Sequence, residues 1–349
     1  MNQNRLPKLS IYFLLIVICT NTTSLSNIAH SQDTDPIFTL QTESPIIEHH
    51  PNDRGTDGGA IIYHDGLFHM FHNGFRTWPG DSVLRYSTST DGLNWEAASD
   101  QPVFTTAEVD YAEVMMAVSS GLVLEDGTWV LYFFTWQTLS IQYGPGEIGR
   151  ATASAPTGPW TPDPEPILIQ GSAGEWDSGQ LSIPSVVQLG DGTFRMVYTA
   201  SDESGFMQIG MATSDDGIVW SKYDDPSTTE APYAESDPVL LAGESGEWDD
   251  NAVYQPNIIL TSDGWVMVYK SFSSRGSDIG IATSDDGFIW TKFAANPILR
   301  SQDVPAARGF GLPELLLHDE TAFLYIPVGT SALNTDLYLA THDGPFIAD

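Results

Sequence analysis

One short motif recurs along this chain, and its recurrence limits the fold more than any other feature. Ser214-Asp215-Asp216-Gly217-Ile218-Val219-Trp220 and Ser284-Asp285-Asp286-Gly287-Phe288-Ile289-Trp290 are near copies. Ser89-Thr90-Asp91-Gly92-Leu93-Asn94-Trp95 is an earlier copy, Ala155-Pro156-Thr157-Gly158-Pro159-Trp160 a variant, and Thr341-His342-Asp343-Gly344-Pro345-Phe346 the last. Ahead of each copy runs an apolar segment ending in a turn, such as Val186-Val187-Gln188-Leu189-Gly190-Asp191-Gly192. Asp-Gly between hydrophobic runs marks a hairpin, because both residues tolerate positive φ. Alternating strands follow, such as Phe68-His69-Met70-Phe71-His72, and no segment keeps a period of 3.6.

A repeat of about sixty residues with four short strands reads as a β-propeller. Five copies predict five blades in an all-β fold. A Pro-plus-aliphatic motif follows the first four units, at Pro102, Pro166, Pro238 and Pro297. The fifth unit has none after it, but Pro45-Ile46-Ile47 lies ahead of the first. The segment 37–47 is therefore expected to supply the outer strand of the last blade and close the ring.

The first residues read differently. Arg5 and Lys8 precede an apolar run from Ile11 to Cys19, and Ala29-His30-Ser31 offers small residues to a signal peptidase. Residues 1–31 are expected to be a signal peptide, and 32–349 a single propeller domain that is secreted or periplasmic. Cys19 is the only cysteine, so the exported chain has no thiol chemistry. The balance is 13 Lys+Arg against 46 Asp+Glu, a net charge of -33. That excludes nucleic acid bound through a basic face. With four lysines in all, it also disfavours an anionic membrane once the leader is gone. A monomer is expected.

The conserved pattern of the blades leaves function to the segments that enter each inner strand: 48–57, 105–118, 169–183, 241–255 and 300–312. These converge on one mouth of the channel and are rich in carboxylates. Converging carboxylates must bind a cation, pair with Arg54 or Arg308, or hold a proton. No motif requires a cofactor, though a structural Ca2+ in the channel is one way to hold these acids. Gly174-Glu175-Trp176-Asp177 and Gly246-Glu247-Trp248-Asp249 repeat in blades 3 and 4, and repetition favours a scaffold role. Asp57 is unrepeated. It stands where other blades carry Val118, Ile183, Gln255 and Leu312. A lone carboxylate at a mostly apolar position needs a partner or a task. Glu113 and Glu314 are unrepeated acids too. His69 and His72 differ by odd parity and face opposite ways, which suggests one packed histidine and one near the channel.

Asp-Gly hairpins, Ile-Gly-x-Ala-Thr-Ser at 209–214 and 279–284, the Asp-Gly-x-x-Trp copies and the Pro-Val-Leu motif together resemble the five-bladed propellers of the arabinanase, levansucrase and invertase superfamily. That group includes glycoside hydrolase families 43 and 32, and the resemblance spans about residues 36–349. It implies a carbohydrate substrate and an acidic triad at the channel mouth. The family's first aspartate directly precedes its first inner strand, which is the register of Asp57. Glu113 and Asp177 are the nearest carboxylates for the acid and the orienting acid. A later Asp-Pro of the family would fall near Ile183-Pro184 or Gln255-Pro256, where this chain has no acid. Trp78 and Trp136 lie outside the repeated motif and are candidates for sugar stacking or for loop packing. With Arg54, Arg308 and Glu314 they make up the expected substrate-binding set. The resemblance thus points to a secreted glycoside hydrolase acting on plant or algal poly- or oligosaccharide. A non-catalytic carbohydrate-binding propeller and a mannoside-phosphorylase-like enzyme are the alternatives.

Overall fold

The computed structural model describes residues 37–41, 44–77, 80–139, 145–273, 276–304, 307–331 and 334–344. The expected signal peptide and Trp78 lie outside the described residues. Five antiparallel sheets follow one another along the chain. Blade 1 runs from its inner strand Gly55–His64 through Leu67–Phe75 and Ser82–Ser89 to Glu96–Ala97. Blade 2 uses Met115–Val123, Trp129–Trp136, Gly146–Ala153 and Thr161–Pro162. Blade 3 uses Gln180–Gln188, Phe194–Ser201, Met207–Ser214 and Ser221–Lys222, and blade 4 Val253–Thr261, Gly264–Ser273, Gly276–Ser284 and Thr291–Lys292. In blade 5, Glu314–His318 and Gly309–Phe310 both pair with Thr321–Ser331, which pairs with Asn334–Asp343. The strand Thr39–Leu40 pairs with Asn334–Asp343 in antiparallel register, Thr39 opposite Thr341. The only helical turns among the described residues are the short 3-10 segments Thr106–Glu108 and Ser301–Asp303.

The repeated motif is a fold staple, as its recurrence suggests. Asp216 Oδ1 accepts the amides of Ile218 and Val219, each at 2.8 Å, and Ser214 Oγ accepts that of Gly217. Asp91 and Asp286 do the same in blades 1 and 4. The bonds hold the turn and aim the tryptophan back at the preceding blade. Trp95 meets Tyr325, Trp160 meets Phe71, and Trp220 meets Tyr132, all edge-on. Apolar packing follows the joints. Five clusters each straddle two neighbouring blades, Phe71 with Phe133 and Tyr132 with Tyr198 among them. Large side chains buried this way stabilise by about 1.5–3 kcal/mol each, so the joints carry the fold.

Polar stitches add direction to this packing. Each inner strand has an irregularity at one level, between Asp57 and Gly59, Val118 and Ser120, Ser182 and Ser185, and Tyr254 and Asn257. In blade 5 the strand is broken there, over 311–313. Such bulges re-aim side chains. Ser120 Oγ accepts the Val186 amide, Ser185 Oγ that of Ile258, and Asn257 Oδ1 that of Leu315, at 2.9 to 3.0 Å. Each bond runs from one blade to the next. From the second strand, Asn73 Oδ1 accepts the Val118 amide and Thr199 Oγ1 that of Gln255. Ile183 and Gln255 sit at φ 52° and 53°, a costly conformation for any side chain and most of all for the β-branched Ile183. The stitches on either side hold them there.

Candidate functional site at the channel axis

Asp57 occupies the bulge of blade 1. Its Oδ1 accepts the amide of Gly58 at 2.9 Å and that of Leu312, in blade 5, at 2.7 Å. Its Oδ2 takes no hydrogen bond from the described residues. Glycine is required on both sides. A methyl on Gly311 would overlap Asp57 Oδ1, and one on Gly58 would overlap the Leu312 carbonyl. Burial pushes the Asp57 carboxyl above its usual range, against the Leu312 amide, the charge of Lys270 and the Gly58 amide. The residue keeps some accessible surface. Phe75, Met115, Ala117, Phe134, Trp136, Ile183 and Leu312 form a sixth apolar cluster drawn from blades 1, 2, 3 and 5. Leu312 and Ile183 of this cluster share the axial level of Asp57, so the carboxylate has a largely apolar setting.

Two more ionisable side chains act there. Glu314 is buried, with Oε2 accepting from Asn257 Nδ2 at 2.9 Å and Oε1 sealed without a partner. Burial first, and the charge of Asp57 second, hold its carboxyl well above the usual range. Lys270 is also buried. Its ammonium donates to the Phe310 carbonyl and lies 5.0 Å from the centre of the Tyr254 ring. Sequence reasoning passed over Lys270. A signal was present, because it is one of four lysines and stands in the second strand where blades 2 and 5 carry Phe134 and Pro327.

The other expected site residues lie elsewhere. Asp177 is fully buried, with Lys222 Nζ at 2.5 Å, and Asp249 repeats the arrangement with Lys292 at 2.6 Å. Glu113 is exposed in the segment before the inner strand of blade 2, its amide donating to Gln137. Neither Glu113 nor Asp177 has Asp57 among its partners. Arg54 and Arg308 are exposed, both tied to strands of their own blades by backbone amides. Trp136 is buried in the axial cluster, with its ring 5.9 Å from that of Phe134. Of its two expected tasks, packing is the one this placement serves. Both histidines of the strand are buried, where one was expected near the channel. His72 has Nδ1 2.9 Å from Thr56 Oγ1. Burial, then the charge of Arg85, lower it to about 4, so it is neutral. His69 is packed against Tyr86. Among the described residues no three His, Cys, Asp or Glu side chains cluster closely enough to hold a metal ion.

The five-bladed all-β ring is an architecture that known glycoside hydrolases share. Residues 49–237, more than half of the chain, match the glycosyl hydrolases family 32 N-terminal domain. The chain belongs to that family. No curated protein matches it. Solved structures share the fold at low identity. A thermostable family-43 glycoside hydrolase is 15% identical with a TM-score of 0.60, over 84% of this chain and 91% of that one. A glycosyl hydrolase from Bacteroides ovatus is 16% identical with a TM-score of 0.59, over 89% and 92%. A structure described with the GH130 family of mannoside phosphorylases, containing glycoside hydrolases that target β-1,2 mannosidic linkages in Candida mannan, is 16% identical with a TM-score of 0.64, over 88% and 93%.

Proposed function

We propose that this protein is a secreted or periplasmic glycoside hydrolase acting on plant or algal poly- or oligosaccharide, with Asp57 as its base or nucleophile. The observation that carries the reading is the carboxylate of Asp57. Two backbone amides fix one oxygen, and the other takes no hydrogen bond from the described residues. A fixed, partly desolvated carboxylate is suited to activating water or attacking an anomeric carbon. Burial raises its pKa, which strengthens it as a base near neutral pH. Glu113, exposed before the inner strand of the neighbouring blade, is the group assigned to protonate the leaving sugar. Asp177, met by Lys222 Nζ at 2.5 Å, is read as serving the scaffold.

The test is release of reducing ends from a panel of neutral plant and algal polysaccharides, with Asp57→Asn as control. Turnover that Asp57→Asn abolishes supports the reading, and equal turnover by the variant sinks it. Tight binding with no product over long incubation would instead make the chain a non-catalytic binding propeller. Phosphorolysis is a second reading, favoured by the mannoside-phosphorylase likeness and by the exposed guanidinium groups of Arg54 and Arg308. It requires product formation that depends on added inorganic phosphate.

A further inference from the structure

The third residue of the inner-strand bulge has a common task in blades 2, 3 and 4. Ser120, Ser185 and Asn257 each accept an amide of the following blade. Glu314 holds the equivalent place in blade 5, after Leu312-Pro313, as Asn257 follows Gln255-Pro256 and Ser185 follows Ile183-Pro184. Every other side chain in this series is neutral. Ionised, Glu314 would be an anion with one oxygen sealed and unpartnered. Such a group is expensive to bury. Among the described residues, Asp57 of blade 1 acts on it by charge and Asn257 of blade 4 by a hydrogen bond, while the charge of Lys270 acts on Asp57. Tyr325, its strand partner, turns its hydroxyl to the Gly92 carbonyl instead.

We propose that Glu314 is a positioning residue for Asp57: a carboxylic acid that keeps its proton, stays bonded to Asn257, and gives Asp57 an uncharged neighbour on the axis. The proposal rests on reading Asp57 as the base or nucleophile. Burial and the charge of Asp57 both favour the protonated form of Glu314. The coupling is reciprocal. Once Glu314 loses its proton, two like charges share one dry axis. Repulsion then moves Asp57 off the amides of Gly58 and Leu312, which removes the fixed base. Glu314 therefore sets an alkaline limit on Asp57 as the base, additional to the one set by the general acid.

The experiment follows the side-chain carboxyl carbon of Asp57 by NMR across a pH titration, its signal assigned by its loss in Asp57→Asn. The wild-type signal is expected to show two inflections, its own and that of Glu314, whereas Glu314→Gln shows one. The same two inflections in the variant, or a single one in both proteins, overturns the coupling. Kinetics supply the second arm. Wild-type kcat/KM is expected to fall about tenfold per pH unit above the titration of Glu314. Glu314→Gln is expected to lose that inflection, keeping the limb set by the general acid, and to turn over about fivefold more slowly at its optimum. A pH profile unchanged in the variant overturns the positioning role. If Glu314→Gln fails to fold, Glu314→Ser, the side chain of blades 2 and 3, undergoes the same titration. Should Asp57→Asn retain full turnover, the catalytic reading of Asp57 fails, and the NMR arm still decides the coupling.

Discussion

Asp177 and Asp249 are as deeply buried as any aspartate among the described residues, and each is met by a lysine at ion-pair distance. Glu314 is also buried and Asp57 partly so, yet among the described residues no cation stands in contact with either. Lys270 acts on Asp57 from farther off while bonded to a carbonyl. The first two acids come from a repeated motif, and their lysines are repeated too, two residues after Trp220 and Trp290. The second two are unrepeated. An acid with a cation in contact can be copied from blade to blade because the pair recurs with the motif. One without a contacting cation persists at a single place, where something other than stability retains it.

The comparison can be broken in four ways. Asp57→Asn keeps shape and removes charge. Turnover should fall about 10³-fold or more, with the fold intact by circular dichroism. Lys222→Met leaves Asp177 charged and buried alone. It should destabilise the protein by about 3–5 kcal/mol in denaturant unfolding, and adding Asp177→Leu should recover most of that. Lys292→Met should cost less, about 2 kcal/mol, because its ammonium is more exposed, 29% against 16% for Lys222. If either lysine variant is neutral, the paired acids are not scaffold. Ser185→Ala removes one stitch and should cost about 1–2 kcal/mol, the penalty of an orphaned buried amide.

The smallest effect concerns pH, and its sign separates the two kinds of acid. Burial raises Asp57, so its contribution to stability is complete below the unfolded carboxylate value, near pH 4, and declines as pH rises through the folded value. Asp91, fixed by the amide and side chain of Asn94, is lowered, so its contribution is present above that value and declines as pH falls. Between pH 4 and 7 the melting temperature of Asp57→Asn should therefore gain on wild type by about 1–3 °C. For Asp91→Asn the advantage over wild type should instead appear as the pH falls below 4. Parallel shifts in both variants would erase the distinction.

Much of this arrangement was legible in the sequence, for a physical reason. A blade cannot bury its faces alone, so the chain repeats the unit, and repetition announces turns, tryptophan staples and blade number. The same logic marked Asp57, because a carboxylate stood where four blades have none. What repetition could not reveal is contact across the ring. Glu314 lies 257 positions after Asp57, and only closure of the ring brings blade 5 against blade 1. Lys222 was invisible as the partner of Asp177 because the pairing depends on how the loop 169–179 folds back over its own blade. Lys270 was overlooked because alternation in a buried strand gives one polar residue little prominence beside Val266 and Val268.

One bond at the axis has a sense opposite to the rest. From blade 1 to blade 5, each stitch has its acceptor in the earlier blade and its amide in the later one. At the last joint the amide belongs to blade 5 and the acceptor is Asp57 of blade 1. That amide therefore responds to whatever happens to the carboxylate. Protonation of Asp57, or bond formation at its free oxygen, would draw electron density from Oδ1 and loosen the Leu312 N–H. The nitrogen and proton frequencies of Leu312 are thus a built-in spectroscopic gauge of charge at the site. They could be read on the resting protein before any sugar has been identified.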